Sequence, residues 1–203
     1  MDDHFAELPK NHFGAILADP PWKFYNWSKR PWWERTDKNT SRAVERHYDT
    51  MATKDIAKLP VADLAAEDCA LFLWACWPTM ADAFALIEAW GFTYKTCAFC
   101  WLKADPYRLF ADDKTPFAGM GYWTRANSEP CLLATRGKPK RLHKDVRQGI
   151  IAPRREHSRK PEEVHGRIER LVGGPYLELF ARAPRKDWMT WGNQTTQFAG
   201  ADT

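Results

Sequence analysis

The sequence predicts an α/β fold in which helices cover both faces of a largely parallel sheet. Short, nearly continuous apolar runs alternate with segments of helical periodicity, which is the pattern of crossover units. The chain has 203 residues, of which 44% are hydrophobic and 28% charged. This length and composition suit one globular domain with a sizeable core and exclude a disordered or fibrous chain. We therefore expect residues 1–203 to form a single α/β domain.

The predicted strands are short and mostly apolar, as expected when both faces of a strand are buried. They cover residues 14–18, 70–74, 93–102, 130–135, 176–181 and 188–191.

Helical periodicity predicts three helices between these strands. They cover residues 54–65, 79–91 and 161–171. Thr79 and Asp82 have the spacing of a capping box, and Gly91 supplies a stop signal. Pro161 fits the first turn of the last helix, because its missing N–H is not needed there. Pro60 interrupts the first and weakest of the three.

Three segments do not fit the sheet, and their length predicts loops that face a substrate. They are residues 23–50, 103–122 and 137–158. Positive charge concentrates in and around two of these segments. Residues 136–160 carry ten Lys or Arg against two acidic residues, a net charge of +8, although the net charge of the whole chain is only +4. Residues 23–46 add a net +4 and five aromatic residues. Cations that neutralise phosphates and aromatic faces that stack on bases predict a nucleic-acid partner.

Several classes of protein are disfavoured by the sequence. No apolar run approaches the ~18 residues of a membrane-spanning helix, and the N-terminus lacks a secretory pattern. The five cysteines are an odd, irregularly spaced set, which predicts a cytoplasmic protein without a disulfide framework. Cys97 and Cys100 lie in a predicted strand, where positions i and i+3 face opposite sides, so they do not predict a metal site. The histidines show no zinc spacing.

The tetrapeptide Asp19-Pro20-Pro21-Trp22 directly follows the first predicted strand. Ligands of open α/β sheets bind beyond the carboxyl ends of the strands, which is where Asp19 lies. The prolines fix the backbone and leave carbonyl oxygens as acceptors. Asp19 and the Pro20 carbonyl can accept both protons of an exocyclic amine while Trp22 stacks on its ring. These four residues therefore predict a site at which a planar amine becomes a nucleophile.

This tetrapeptide resembles the catalytic motif of the MT-A70 family of S-adenosylmethionine-dependent adenine N6-methyltransferases. Further blocks recur in the family's order from about residue 13 to 194. They are His47-Tyr48-Asp49-Thr50-Met51, Leu71-Phe72-Leu73-Trp74, Gly121-Tyr122-Trp123, Asn127-Ser128-Glu129-Pro130-Cys131-Leu132, Ser158-Arg159-Lys160-Pro161-Glu162-Glu163, Ile168-Glu169-Arg170-Leu171, Leu177-Glu178-Leu179-Phe180-Ala181-Arg182 and Gly192-Asn193-Gln194.

The resemblance implies a Rossmann-like methyltransferase fold in which the catalytic strand precedes the cofactor-binding strand. It implies S-adenosylmethionine as cofactor, with Lys160 on the methionine carboxylate and the Asn193–Gln194 pair on the ribose and adenosine end. The full set of cofactor residues expected is Asp19, Pro20, Lys160, Glu178, Phe180, Arg182, Asn193 and Gln194. The family often has histidine and asparagine after the arginine, whereas this chain has Ala183-Pro184-Arg185.

The catalytic residues expected are Asp19, Pro20, Pro21 and Trp22. Those expected to contact the substrate are Trp22, Lys23, Tyr25, Tyr48, Trp77, Asn127, Glu129, Lys140, Arg141 and Lys144. The predicted reaction is methyl transfer to N6 of adenine in DNA, on a flipped-out or single-stranded base. RNA adenosine is the first alternative, and a catalytically inactive nucleic-acid-binding subunit is the second. A homodimer is compatible with the resemblance.

Overall fold

The described strands form one mixed sheet, which confirms the predicted α/β class. A computed structural model describes residues 5–22, 51–104, 123–155 and 159–193. Its strands are β1 Phe13–Ala18, β2 Ala65–Trp74, β3 Thr93–Ala104, β4 Ser128–Arg136, β5 Gly149–Pro153, β6 Tyr176–Leu179 and β7 Trp188–Trp191. Their order is β5-β3-β4-β2-β1-β6-β7. Every neighbouring pair is parallel except the two that involve β4.

Helices cover both faces of this sheet, as predicted. They are α1 Thr53–Ile56, α2 Val61–Leu64, α3 Met80–Ala89 and α4 Glu163–Leu171. On one face, Ile16 and Leu71 are buried together with residues of α1 to α3. On the other face, Leu17 and Phe72 are buried with Val164 of α4. Successive residues of a strand thus enter opposite cores, which explains why the strands read as continuous apolar runs.

The structure corrects two local predictions. The Thr79–Asp82 capping box does not form: the Thr79 hydroxyl donates to the Cys76 carbonyl, 3.1 Å away, and the first turn of α3 has no side-chain cap. Residues 149–153 are not part of a loop but form β5, which pairs in parallel with β3. This strand contains only two large apolar residues, Ile150 and Ile151, so its sequence alone was too weak a signal.

β1 and β6 lie side by side although more than 150 residues separate them in sequence. They pair in parallel, with Ala18 opposite Leu179. The residues that follow them, Asp19 and Phe180, therefore emerge together at the carboxyl edge of the sheet. This adjacency agrees with the predicted order, in which the catalytic strand precedes the cofactor-binding strand.

Gly137 is expected to be the most sensitive of the surface glycines. It directly follows β4 with φ of +59°, and an added Cβ would meet Asp68 Oδ1 and the Glu67 carbonyl. Gly137→Ala should lower the free energy of unfolding by about 1–3 kcal/mol, measured by urea denaturation. Gly149→Ala is the matched control, because nothing lies within 4 Å of its added Cβ. Equal loss of stability in the two variants would contradict this account.

Candidate active site

Asp19 is bound by a lysine from a distant part of the chain. The Lys160 ammonium donates to both carboxylate oxygens of Asp19, at 2.8 and 2.9 Å. Lys160 precedes α4, and the two side chains are only 15% and 16% exposed. Arg182, after β6, places its Nη2 3.7 Å from the same carboxylate. Three elements of the fold therefore meet at Asp19.

Glu129 extends this group of charges on the opposite side of Lys160. Its Oε1 pairs with Lys103 of β3, and its Oε2 lies 3.5 Å from Lys160 Nζ. Burial disfavours the Glu129 carboxylate, but Lys160 and Lys103 outweigh this and hold its pKa below the usual range. Within the described residues, Glu129 Oε2 is the buried side-chain oxygen that accepts no hydrogen bond. A ligand donor would satisfy it.

Lys160 stays charged because its counter-charges exceed the cost of its burial. Burial lowers the pKa of Lys160, whereas Asp19 and Glu129 raise it, and the net result is a pKa well above the usual range. The ammonium also lies 5.6 Å from the centre of the Trp74 ring. Lys103, Lys160 and Arg182 against two carboxylates leave one net positive charge, which suits a ligand that carries a carboxylate.

A cleft beside these charges contains most of the residues expected to bind the cofactor. Asp19, Lys160, Glu178, Phe180 and Arg182 all line it. Phe180 has φ of +63°, and its half-buried ring packs against Trp191 with centroids 5.5 Å apart. The cleft thus joins cations at one end to a carboxylate and an aromatic ring.

Asn193 and Gln194, also expected to bind the cofactor, are not among the described residues that line the cleft. Asn193 is exposed after β7, beyond the residues that line the cleft. Gln194 lies outside the described residues. Ala183, Pro184 and Arg185 also line the cleft, although they depart from the family pattern.

Trp22, expected to stack on the substrate ring, and the Pro20 carbonyl, expected to accept from its amine, both have partners within the protein. Trp22 is 3% exposed, and its Nε1 donates to the Trp74 carbonyl at 3.0 Å. The Pro20 carbonyl accepts the Trp22 backbone N–H at 2.8 Å, and the Pro21 carbonyl accepts that of Met51 at 3.0 Å. Trp22 therefore stabilises the turn after β1 from within the core. It does not present a free ring face for stacking.

The remaining residues expected to contact substrate fall into three groups. Trp77, Asn127 and Glu129 lie at the carboxyl edge near Asp19. The Trp77 indole is 52% exposed and donates to Ser128 Oγ at 3.1 Å, while the Asn127 carbonyl accepts the Lys103 backbone N–H at 2.8 Å. Lys23, Tyr25 and Tyr48 lie outside the described residues.

Lys140, Arg141 and Lys144 form the third group, at the far end of α4 from Asp19. Arg141 bridges to Val172, and Asp145, next to Lys144, pairs with Arg170. Nine helical residues span about 13 Å, so these cations are not brought into the cleft. The sequence showed one basic segment, but β5 divides it between the two ends of the sheet.

Arg155 and Arg159 lie near the cleft, at the other end of α4 from the Lys140 group. The sequence assigned no individual role to either arginine. Both pair with Glu162, at 2.7 and 2.5 Å, and Arg155 also donates to the Lys160 carbonyl at 3.1 Å. Arg155 was marked in advance only by its membership of the basic segment, whereas Arg159 also belongs to a block shared with the family. They anchor the backbone that carries Lys160.

The Cys76 thiol lies close to the charged groups of the site. Burial raises the pKa of the Cys76 thiol to about 12, and Glu129 adds to the effect, so this thiol near the site is not a nucleophile at neutral pH.

In the described part of the chain, no helix has the length and apolar character needed to cross a bilayer.

The fold and the site together define the class of protein. An α/β sheet that carries a carboxylate and a charged cleft at its carboxyl edge, where ligands of such sheets bind, is consistent with a Rossmann-like methyltransferase fold. Comparison with known proteins agrees. The MT-A70 family profile matches residues 13–194. The Type II methyltransferase M.MunI of a Mycoplasma species is 32% identical over 204 residues, covering 95% of this chain and 82% of its own.

Eukaryotic relatives match over a shorter part of their length. The N(6)-adenosine-methyltransferase MT-A70-like protein of Arabidopsis thaliana is 30% identical and the N(6)-adenosine-methyltransferase catalytic subunit METTL3 of Homo sapiens is 28% identical, each over 90% of this chain. The matched parts are 24% and 28% of those two proteins, so the chain spans about a quarter of their length. The chain belongs to the MT-A70 family. It is an adenine-N6 methyltransferase of the S-adenosylmethionine-dependent kind.

Proposed function

We propose that this protein transfers a methyl group from S-adenosylmethionine to N6 of adenine in DNA. The observation that carries the proposal is the Asp19 carboxylate, held at 2.8 Å by Lys160 beside the cleft. A buried carboxylate next to a cationic ligand cleft can bind the amine of a base at the point where the cofactor ends. The proximity of a carboxylate and two cations supports an amine acceptor next to an anion site in this proposal.

The cleft residues fit the chemistry of S-adenosylmethionine. Lys160 and Arg182 are cations for its methionine carboxylate, and Lys160 lies directly before α4, whose N-terminus also favours anions. Glu178 accepts hydrogen bonds from ribose hydroxyls, and Phe180 offers an apolar contact for the adenine ring. When bound, the cofactor supplies an electrophilic methyl group on sulfur.

Asp19 and Glu129 act on the amine of the target base. An amine that donates to the Asp19 carboxylate directs its lone pair away from conjugation with the ring, which makes the nitrogen a better nucleophile. The buried Glu129 Oε2 is a second acceptor close by. With the cofactor bound, the nitrogen would form a bond to the methyl carbon as the bond from that carbon to sulfur breaks, so that the sulfonium leaves as a neutral thioether. The proton lost by the amine would pass to solvent. Lys160 keeps both carboxylates in place and compensates their charge.

DNA is the polymer we favour over RNA. The Type II methyltransferase M.MunI matches over most of both chains, whereas the N(6)-adenosine-methyltransferases match over about a quarter of their length. Adenine stacked in a duplex cannot reach Asp19, so the base is flipped out or taken from a single strand.

A labelled-methyl transfer assay tests the polymer and the activity together. DNA and RNA, each single- and double-stranded, are incubated with the protein and labelled cofactor, and the nucleosides are identified by mass spectrometry. Formation of N6-methyldeoxyadenosine would support the proposal. Formation of N6-methyladenosine from RNA, with no methylated DNA, would show that the substrate is RNA and not DNA. Calorimetric titration with S-adenosylmethionine distinguishes the inactive-subunit alternative, for which neither heat nor product is expected.

Trp77 is expected to supply the stacking surface that Trp22 does not offer. Its indole is exposed but held by Ser128, whose neighbour Glu129 faces Lys160. Trp77→Ala should weaken binding of a single-stranded oligonucleotide by about 1–3 kcal/mol, roughly 5- to 150-fold, in fluorescence anisotropy. Tyr94→Ala is the control, since Tyr94 is 42% exposed at the start of β3, the opposite end of the sheet. Equal affinity of the Trp77 and Tyr94 variants would exclude Trp77 from the interface.

A further inference from the structure

His165 makes a close contact with a residue of the cofactor cleft. It lies in the first turn of α4, and its Nε2 is 2.8 Å from Glu178 Oε2 of β6. The two side chains are only 13% and 18% exposed, and both line the cleft. The sequence assigned no role to this histidine, because it has no zinc spacing and lies between two family blocks without belonging to either.

Contacts on two sides fix the orientation of the His165 ring. Its Nε2 meets Glu178, and its edge packs against Trp188 with ring centroids 4.9 Å apart at 85°. A carboxylate only accepts hydrogen bonds, so Nε2 carries the proton in the bond to Glu178. A ring held on two sides is a rigid donor.

Glu178 needs such a donor if it is to bind a ligand with a defined geometry. A glutamate side chain has three rotatable bonds, and ordering it on binding costs free energy. The bond to His165 uses Oε2, so Oε1 is the acceptor that a ligand hydroxyl would meet. We propose that His165 is the positioning residue for Glu178, ordering its carboxylate for the ribose hydroxyls of the cofactor. This inference rests on the cofactor assignment in the proposed function.

Two substitutions separate the hydrogen bond from the packing of the ring. His165→Phe keeps a ring that can pack on Trp188 but removes the donor, whereas His165→Gln keeps an N–H that can reach Glu178. Calorimetric titration with S-adenosylhomocysteine should show roughly tenfold weaker binding for His165→Phe and near-normal binding for His165→Gln. In the transfer assay, KM for the cofactor should change more than kcat. His12→Phe is the control, because His12 is exposed and contacts only the neighbouring Phe13 ring among the aromatic contacts described.

A double-mutant cycle connects the effect to Glu178. If His165 acts through Glu178, then His165→Phe should cost little further affinity in a Glu178→Gln background. Additive losses, or wild-type affinity in His165→Phe together with reduced stability in urea, would show that the pair only ties α4 to β6 and would overturn the inference. Failure of the wild-type protein itself to bind S-adenosylhomocysteine would instead overturn the proposed function on which the inference depends.

Discussion

Asp19→Asn should lower methyl transfer by roughly 10²- to 10³-fold or more, with the fold retained. The amide is nearly the same size as the carboxylate, and its oxygen can still accept from Lys160. It lacks the negative charge and the second acceptor oxygen, so the amine of the base loses its strongest partner. The measurement is the single-turnover rate with labelled cofactor at saturating oligonucleotide.

A matched variant and a binding measurement make this result specific. Asp63→Asn changes an exposed carboxylate in α2, far from the cleft, and should leave the rate unchanged. Asp19→Asn should retain a cooperative urea transition, which shows that its low rate does not come from unfolding. Wild-type turnover in Asp19→Asn would show that the proposed mechanism is wrong.

Lys160→Met should have the largest effect on stability, a loss of about 3–5 kcal/mol in the free energy of unfolding at pH 7. The substitution leaves Asp19 and Glu129 largely buried without the cation between them. Lys103 still faces Glu129, and among the described residues the cation that remains near Asp19 is Arg182, 3.7 Å away. Cofactor binding should be lost as well. Lys54→Met is the control, since Lys54 is exposed in α1.

The cost of Lys160→Met should depend on pH in a defined direction. The pKa of Glu129 in the folded protein lies below its usual 4.5, so its pairing with Lys160 and Lys103 stabilises the protein above that pH. The contribution is lost as the pH falls through the folded-state pKa, because the protonated carboxyl no longer attracts the cations. Lys160 remains charged throughout, since its own pKa is raised.

Urea denaturation at several pH values between 7 and 4 tests this direction. The difference in stability between wild type and Lys160→Met should be largest at pH 7 and smaller at pH 4. Lys160→Arg keeps the charge and should retain more of the stability than Lys160→Met at every pH. A difference that is constant with pH, or that grows as the pH falls, would contradict the role assigned to Glu129.

Much of the fold was predictable because its strands are locally marked. Apolar runs such as those of β1, β2 and β4 are buried on both faces, and that burial is visible in sequence as a loss of alternation. Trp74, Trp90, Trp101 and Trp191 are all buried, as is typical of large aromatic side chains in or beside such strands. β5 escaped prediction because an edge strand needs few apolar residues when its neighbour supplies the hydrogen bonds.

The site was predictable only in part. Asp19 follows a recognisable strand, and Lys160 precedes a recognisable helix, so both could be placed at the carboxyl edge. The sequence did not reveal that Trp22 lies in the core, because aromatic character fits a stacking surface and a core equally well. Its bond to the Trp74 carbonyl depends on how β1 and β2 pair. The basic segment of residues 136–160 is likewise continuous in sequence, but β5 divides its cations between the two ends of the sheet.

By itself, the sequence determined which residues form strands and helices and which polar residues follow them, because these properties depend on neighbours a few positions apart. Only the tertiary structure decided which of those polar residues meet. Asp19 and Lys160 are 141 positions apart, yet they form a direct ion pair. The parallel pairing of β1 with β6 and the placement of α4 over the sheet create that contact. Such pairing between distant segments follows from the packing of the whole core, so no local pattern records it.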